Sequence, residues 1–313
     1  MICMLGGMML AGLSACSGDD DATDVPDDGV KVRRITITQT EDAARQMTTR
    51  ATLVEDNGLK ASWTKDNDRL TYCNLMRTKY SEQTETHEPI FGNLTAVSTG
   101  ASSQFTGDVA CGDGDYLAVV YPATKFTRND SYTIRLTGQD GTLEGLATNY
   151  HYVYGMAHVT SVTKTTANAT MGKMKSLLTV CKFSFVEKGT KEDIPIQSLS
   201  ISYYGDPTSV TYANKYPQSA TVTIKADNDG TILMPSAVHA TDADVSAPLS
   251  VTCSTAQEAV YVALLPTAAE RTFNFTVTNA NGTYTGKANA TLNEGEYVVA
   301  TGLKLTKQQA TKE

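Results

Sequence analysis

The residues that most often carry catalysis or bind metal ions are scattered through this sequence. The four histidines form no His-Glu-x-x-His motif and no pair spaced four residues apart on a helix; they are His87, His151, His158 and His239. The sequence also lacks the Gly-x-Ser-x-Gly motif of many hydrolases, the Gly-x-Gly-x-x-Gly dinucleotide motif and the P-loop. We therefore expect no metal site, no cofactor and no enzyme.

One group of carboxylates resembles part of a calcium-binding loop. Asp113-Gly114-Asp115 carries two carboxylates, and Asp108 lies nearby in the sequence. A calcium loop needs a longer series of oxygen ligands, which these residues do not complete. The pattern instead predicts a turn that precedes a strand beginning at Tyr116.

Cys16 is the residue whose surroundings indicate a covalent modification. Leu13-Ser14-Ala15-Cys16 ends an apolar run that is shorter than the ~20 residues a transmembrane helix needs. Residues 1–15 are therefore typical of a signal peptide, although no Lys or Arg precedes the run. The four residues resemble a bacterial lipobox, in which the cysteine sulfur receives a diacylglycerol and the chain is then cut and acylated, for example with palmitate. An ordinary thiol near a secretory cleavage site and an unprocessed apolar tail are the alternatives.

Residues 16–29 form an acidic tether after that cysteine. The segment contains Asp19, Asp20, Asp21, Asp24, Asp27 and Asp28. It has too little apolar surface to pack, and its like charges extend the chain. An acidic run behind a lipidated cysteine also resembles the export signal that sends Bacteroidetes lipoproteins to the outer face of the outer membrane. We expect display at that surface.

Four further cysteines remain in the mature chain, and no Cys-x-x-Cys pair suggests zinc or redox chemistry. They are Cys73, Cys111, Cys181 and Cys253. Cys181 shares a strand face with two phenylalanines, and Cys253 shares one with Leu249 and Val251. Buried free thiols are the expected state of these two.

Length and charge limit the classes of function. A chain of 313 residues exceeds the usual size of one hydrophobic core, so we expect two domains, residues 30–165 and 166–313, with a boundary in residues 160–171. That boundary segment is rich in Thr and Ala and lacks large apolar residues. The formal net charge is -8 and no basic patch occurs, which argues against nucleic acid as a partner.

Alternating apolar residues and turn dipeptides predict an all-β protein. Asn281-Gly282 between two alternating runs predicts a hairpin. No stretch shows the 3.6-residue period of a helix. Short strands with frequent turns are typical of antiparallel sandwiches. The predicted strands cover residues 30–38, 59–63, 70–76, 116–121, 132–136, 177–186, 197–203, 220–224, 259–265, 273–277, 283–287 and 297–305.

Clustered tyrosines offer a second hypothesis, a surface that binds glycans. Four of them surround the turn at residues 205–207, namely Tyr203, Tyr204, Tyr212 and Tyr216; a second group comprises Tyr150, Tyr152 and Tyr154. Aromatic faces stack on sugars, but tyrosine in a strand more often packs against its neighbours.

Several segments together resemble the Bacteroidales fimbrillin family. Residues 59–63, which end at Trp63, are followed by Asp66, Asp68 and Leu70, and this block resembles the tryptophan and aspartate motif near the start of these proteins. Similar blocks follow in the order of the family, at Phe105-Thr106-Gly107, residues 116–122, 174–185 and 261–266, and Gly295-Glu296-Tyr297. The similarity spans nearly the whole mature chain.

This resemblance implies two transthyretin-like antiparallel β-sandwich domains and a structural or adhesive role in a type V fimbria. In the family, a protease cuts after an arginine, the first strand leaves with the lipid, and a strand from another subunit fills the groove. Arg50-Ala51 fits the cleavage position because it follows a strand and a polar segment; Arg45 is the competing site. Proteolysis concentrates in exposed polar loops. Other fimbrial subunits are then the implied partners, and a host or bacterial surface ligand is a further one.

The end of the sequence favours a tip or accessory subunit over a shaft subunit. After the predicted strand at residues 297–305, residues 306–313 contain no alternating apolar side chains that a neighbour could bury. The competing function is a surface glycan-binding lipoprotein of a nutrient-uptake system. Such sites often use exposed tryptophans, and the sequence has only Trp63, which we expect to be packed.

Overall fold

A computed structural model describes most of the chain. The described residues are 31–39, 52–55, 59–83, 85–123, 131–204, 214–223, 239–240, 246–267 and 269–309. Within them the protein is built almost entirely from β-strands, which confirms the predicted fold class. No helix in these ranges is long and apolar enough to cross a membrane.

The first sheet contains eight strands from the N-terminal half. Their spatial order is β10-β1-β6-β5-β4-β7-β9-β11, and β10 also pairs with β9, so seven of the strands form a closed ring. All neighbours are antiparallel except β1 and β10, which run parallel. The strands are β1 (Val32–Gln39), β4 (Arg69–Ser81), β5 (Thr86–Ala96), β6 (Phe105–Ala110), β7 (Tyr116–Tyr121), β9 (Val153–Val162), β10 (Thr166–Met171) and β11 (Lys175–Ser176).

The second sheet contains seven strands from the C-terminal half, in the order β16-β13-β18-β19-β20-β12-β17. Its one parallel pair is β12 with β20. The strands are β12 (Thr179–Glu187), β13 (Ile196–Tyr203), β16 (Leu249–Gln257), β17 (Val260–Leu264), β18 (Arg271–Asn279), β19 (Gly282–Ala290) and β20 (Tyr297–Lys307).

The two halves share most of their connectivity. In each, the first strand pairs in parallel with the last and antiparallel with the fourth. The corresponding strands are β1, β4, β5, β6, β7, β9 and β10 in the first half and β12, β13, β16, β17, β18, β19 and β20 in the second. Every remaining neighbour pair of the first half has a counterpart except β5 with β6, because β16 and β17 do not pair directly. The pairing is antiparallel, as the sequence predicts, apart from one parallel strand pair in each half.

Small elements lie between and beside the two sheets. A hairpin is formed by β2 (Thr52–Glu55) and β3 (Leu59–Ser62), and a three-stranded sheet by β8 (Ser131–Arg135), β14 (Ser219–Thr223) and β15 (His239–Ala240). One helix, α1 (Leu143–Asn149), begins at Thr142, whose side chain accepts a hydrogen bond from the Gly145 N–H. The sequence analysis missed α1 because seven residues with two buried apolar side chains give no helical period.

The segment at residues 139–141 closes the second ring between β16 and β17, which do not pair directly. The Gln139 carbonyl accepts from Thr252 N, and its side-chain amide donates to and accepts from the Ala263 backbone at 2.9 and 2.8 Å. The Gly141 carbonyl accepts from Tyr261 N. This segment therefore supplies the hydrogen bonds that a strand would otherwise supply.

Two apolar cores result. One lies inside the first ring; the other lies inside the second ring and extends to the outer face of the first sheet. Strand β7 contributes to both, because Leu117 and Val119 face the first core while Ala118 and Val120 face the second. Burial on two faces explains why β7 is a continuous apolar run.

The expected boundary segment, residues 160–171, belongs to the first sheet. It forms the end of β9 and all of β10, and its small side chains Ala167 and Ala169 are buried beside β1. The chain passes to the second sheet between Ser176 and Thr179. In addition, β8 pairs with β14 from the other half. The division into two independent domains stays a prediction.

The four cysteines of the described residues form no disulfide bond and are buried. Burial raises the pKa of the Cys181 thiol to about 12, so the sulfur stays protonated and unreactive at neutral pH. The expected hairpin at Asn281-Gly282 is confirmed, with its tip one residue earlier, since Asn279 pairs with Gly282.

The Asp113-Gly114-Asp115 segment forms the predicted turn, and Asp115 has a structural role. Its buried carboxylate accepts hydrogen bonds from Gly112 N at 2.7 Å, Asn74 Nδ2 at 2.9 Å and Arg77 Nε at 2.6 Å. No group of three or more His, Cys, Asp or Glu in the described ranges is placed to hold a metal ion. The carboxylate ties β4 to the start of β7.

Replacing Asp115 by Ala should lower the free energy of unfolding by about 3 kcal/mol, because Arg77 and two further donors lose a buried partner. Asp113→Ala is the matched control, since Asp113 is exposed in the same turn; it should change stability by less than about 0.5 kcal/mol. Urea unfolding followed by tryptophan fluorescence measures both. Equal effects of the two substitutions would contradict the role given to Asp115.

Candidate functional site

Strand β1 occupies a slot between two neighbours. It pairs with β6 from Val32 opposite Ala110 to Ile37 opposite Phe105, and with β10 from Arg34 opposite Thr166 to Gln39 opposite Met171. Both of its edges are therefore hydrogen-bonded. Removing β1 would leave two unpaired edges facing each other across the width of one strand.

Small residues make room for one of the two inward isoleucines of β1. Ile35 lies between Gly107 of β6 and Ala167 of β10, whereas Ile37 lies between Phe105 of β6 and Ala169 of β10. Both isoleucines are fully buried. A side chain at Gly107 would collide with the Asn93 carbonyl oxygen. The slot thus has small walls on both sides at Ile35 and a small wall on the β10 side at Ile37.

Polar contacts hold the start and end of β1. The Arg33 guanidinium donates to the Thr163 carbonyl oxygen at 2.8 Å on the β10 side and to the Cys111 carbonyl oxygen on the β6 side. At the other end, Gln39 accepts from Ser103 N at 3.3 Å. The Arg34 and Asp108 pair at 3.4 Å is exposed and contributes little.

The Trp63 block supports the wall of the slot. Trp63 is fully buried, as expected, and its ring meets Phe105 of β6 and Tyr121 of β7 edge to face at 4.8 and 5.5 Å. Asp68 accepts from Thr64 N at 2.6 Å and from the Tyr121 hydroxyl at 3.1 Å. These residues fix the position of β6, which is one side of the slot.

Glu55 at the end of β2 binds three residues of the second sheet, and the sequence analysis did not single it out. Its carboxylate accepts from Lys182 Nζ at 2.7 Å and from the hydroxyls of Tyr261 and Tyr297 at 2.6 and 2.8 Å. The hydrogen bond from Lys182, followed by those from Tyr261 and Tyr297, lowers the pKa of Glu55 from 4.5 to about 2. Because these partners are more than 120 residues away, local spacing gives no indication of this cluster.

Beside Glu55, the β2 and β3 hairpin also makes apolar contact. Leu53 and Leu59 are buried in the core of the second half, near Val180 and Leu178 of that half. The hairpin is therefore attached to the second sheet by an apolar contact and by a charged one.

Three of the four tyrosines that the sequence places around residues 205–207 are described, and they differ in burial. Tyr216 is fully buried, and its hydroxyl oxygen accepts a hydrogen bond from Leu265 N at 2.8 Å. Tyr203 packs on Tyr216 and Phe273 at 5.1 and 5.4 Å. Tyr204 is 56% exposed, with Lys287 Nζ above its ring. The ring of Tyr216 therefore packs in the core, and the ligand surface stays a prediction.

Other sequence-based predictions fall on residues outside the described ranges. Cys16, Arg50, Ala51 and Tyr212 lie there, so lipidation and cleavage stay predictions. In the second tyrosine group, Tyr150 ends α1 and donates its hydroxyl to the Thr137 carbonyl oxygen at 2.7 Å, while Tyr154 is buried on β9. That group packs rather than binds.

No protein-family model matches the sequence, and no curated protein matches it. Among solved structures, a candidate cell adhesion protein from Bacteroides ovatus is similar at 12% identity, with 90% of this chain and 96% of that chain covered and a TM-score of 0.48. One from Bacteroides eggerthii is similar at 12% identity, with 88% and 87% covered and a TM-score of 0.39.

A fimbrilin from Porphyromonas gingivalis is also similar, at 9% identity, with 90% of this chain and 99% of that chain covered and a TM-score of 0.34. At these identities and TM-scores the similarities assign no function to this chain.

In the uncleaved protein, Ile37→Ala should lower the free energy of unfolding by about 3 kcal/mol, because it leaves a cavity in the slot. Thr38→Ala is the control, since Thr38 is the neighbouring residue on the exposed face of β1; we expect a change below about 0.5 kcal/mol. Urea denaturation measures both values. If both variants were as stable as the parent, β1 would not be a packed strand of the native fold.

Glu55→Gln should lower the melting temperature at pH 7 and have progressively less effect in acid. A carboxylate with a depressed pKa stabilises the fold above its unfolded pKa and loses that contribution as the pH falls through its folded pKa. The difference from the parent should therefore shrink below pH 4.5 and vanish near pH 2, the lowered pKa of Glu55.

Thermal unfolding from pH 2 to pH 7 tests this window. Glu258→Gln is the control, because Glu258 is exposed, and it should leave the melting curve unchanged. A Glu55→Gln effect that is constant across the range would mean that the side-chain shape, not its charge, matters.

Proposed function

We propose that this chain is a surface-exposed structural or adhesive subunit of a type V fimbria. It is exported as a lipoprotein through Cys16 and is assembled when a protease cuts after Arg50 and a strand of another subunit replaces β1. The observation that carries the proposal is the place of β1, an N-terminal strand paired along both edges with Ile35 and Ile37 fully buried. The resemblance of the sequence blocks to fimbrillins supports it.

Loss of β1 would leave an open slot that favours the binding of another strand. The backbone groups of β6 and β10 that face β1 would lose their partners, and an unpaired edge is a template for strand addition. Each isoleucine that a new strand buries contributes roughly 1.5–3 kcal/mol. A donor strand with branched apolar residues at alternate positions therefore fits the slot in chemistry and in register.

The position of the cleavage site agrees with the attachment of β2. Arg50-Ala51 directly precedes Thr52, the first residue of β2. The contacts of Leu53 and Glu55 with the second half lie on the retained side of that site. Cleavage would thus release β1 and leave the new N-terminus close to a segment that is anchored to the second sheet.

The C-terminal strand supports a tip or accessory role over a shaft role. Strand β20 pairs with β12 along most of its length and ends at Lys307, so it belongs to the sheet of its own chain. A subunit that keeps β20 in its own sheet does not donate that strand, and a subunit that only accepts a strand can end a filament but cannot extend it.

A surface glycan-binding lipoprotein is the second candidate, and the exposed ring of Tyr204 is the observation that supports it. Tyr204 lies beside a shallow polar cleft on the outer face of the second sheet, which Ser202, Asn274 and Lys287 also line. Of the three described tyrosines in this group, Tyr204 is the exposed one, and it alone offers less stacking surface than the four that the sequence suggested.

Treatment of the purified protein with a trypsin-like protease should give a new N-terminus at Ala51, and the cleaved protein alone should form no long fibres. Mass spectrometry identifies the cut, and electron microscopy shows whether filaments grow. Arg50→Ala should prevent the release of β1, whereas Arg45→Ala should not. Extended homopolymers would show that the C-terminal strand is donated and would return the protein to the shaft class.

A further inference from the structure

Strands β19 and β20 are neighbours in the second sheet that pair at only one end. Their partners are Tyr284 with Lys307 and Thr285 with Thr306. Beyond Thr285, residues 286–290 of β19 and 297–305 of β20 do not pair with each other. Each strand is paired on its other edge, β19 with β18 and β20 with β12. The facing edges therefore diverge toward the connection at residues 291–296.

The equivalent pair in the first half is closed. Strands β9 and β10 pair from Val162 opposite Ala167, next to their turn, to Ala157 opposite Met171. In the second half, β16 and β17 also lack direct pairing. Residues 139–141 fill the space between these two strands. Within the described part of the second half, the gap between β19 and β20 has no such filling segment.

Local features hold the two strands together at one end and apart at the other. Gly286 lets the backbones approach, because a side chain there would meet Leu305 Cδ2 at 2.6 Å. A bulge at Gly302, with φ at 66°, then bends β20. The connection is anchored on both sides, since Thr267 N donates to the Leu292 carbonyl oxygen at 2.8 Å and Gly295 N donates to that of Leu178 at 3.3 Å.

The divergence opens a cavity of about 180 Å³ into the apolar core. Its floor is formed by Phe183, Phe273 and Phe275, and its walls carry small side chains, Ala288 on β19 and Ala300 on β20. No charged residue lines it. The wall residues are partly exposed, so the cavity is open to solvent. Apolar side chains that fill such an apolar cavity are removed from water, which is favourable.

We propose that this cleft is a second strand-acceptor site, which binds an extended segment of another chain with branched apolar residues at alternate positions. The facing edges at residues 286–290 and 297–305 do not pair with each other, so an extended segment could form backbone hydrogen bonds with them, and a small apolar molecule would form none. The small walls leave room above the phenylalanine floor for side chains of the size of isoleucine. This proposal rests on the proposed function in one respect, which is that the bound segment comes from a fimbrial partner.

Hydrogen exchange of the uncleaved full chain tests the cleft separately from processing, because β1 still fills its own slot. The probe is a synthetic peptide of sequence RITITQ, which has the alternation of β1. Bound peptide should slow amide exchange in residues 286–290 and 298–303, with no change in β6 and β10. A peptide with adjacent isoleucines, RIITTQ, should give no protection, because its apolar side chains fall on opposite faces.

Substitutions that fill the cleft provide a second test of the proposal. Ala300→Leu should keep or raise the melting temperature and abolish the protection by RITITQ, while Val299→Leu, on the exposed face of β20, should leave the protection intact. Ala288→Leu fills the opposite wall if the first variant does not fold. Absence of protection in the parent protein, equal protection by RIITTQ, or protection that survives in a filled variant would each overturn the proposal. None of these outcomes depends on cleavage at Arg50.

Discussion

Hydrogen bonding at strand edges is the constraint on which the rest of this structure depends. A buried backbone N–H or carbonyl group without a partner costs about as much as a lost hydrogen bond, so a sheet that surrounds an apolar core must close or cover its edges. The first half closes by placing β1 between β6 and β10. The strand that completes the ring is also the first strand of the described residues, and its removal would reopen the ring.

The second half meets the same constraint in a different way. Its first strand, β12, is held between β17 and β20 in the middle of the sequence, so it cannot be released by a single cut near the N-terminus. The gap between β16 and β17 is closed by Gln139, whose amide replaces a peptide group. The related strand orders thus place the first strand of one half on the N-terminal side of the described chain and the first strand of the other half in its middle.

Buried and partly buried polar groups determine how the elements are attached to one another. Asp115 fixes the turn before β7, Asp68 fixes the Trp63 block, and Glu55 joins the β2 and β3 hairpin to three strands of the second sheet. Each carboxylate has several donors, which is how proteins tolerate such groups away from water. Consequently the hairpin of β2 and β3 is attached to the second half, whereas β1 is paired within the first sheet.

The sequence by itself determined the fold class and most strands, because alternation of apolar residues and turn dipeptides are local features; the strand at 116–121 has the predicted bounds. The spacing of Ile35 and Ile37 in the predicted strand at residues 30–38 also places them on one face. The tertiary structure decided what no local pattern contains: that β10 runs parallel to β1, that the polar segment after residue 160 is a wall of the slot, and that Tyr216 is buried. It also decided that Glu55 meets Tyr297 and that β19 leaves β20, since these contacts join residues far apart in the chain and depend on how whole strands are placed.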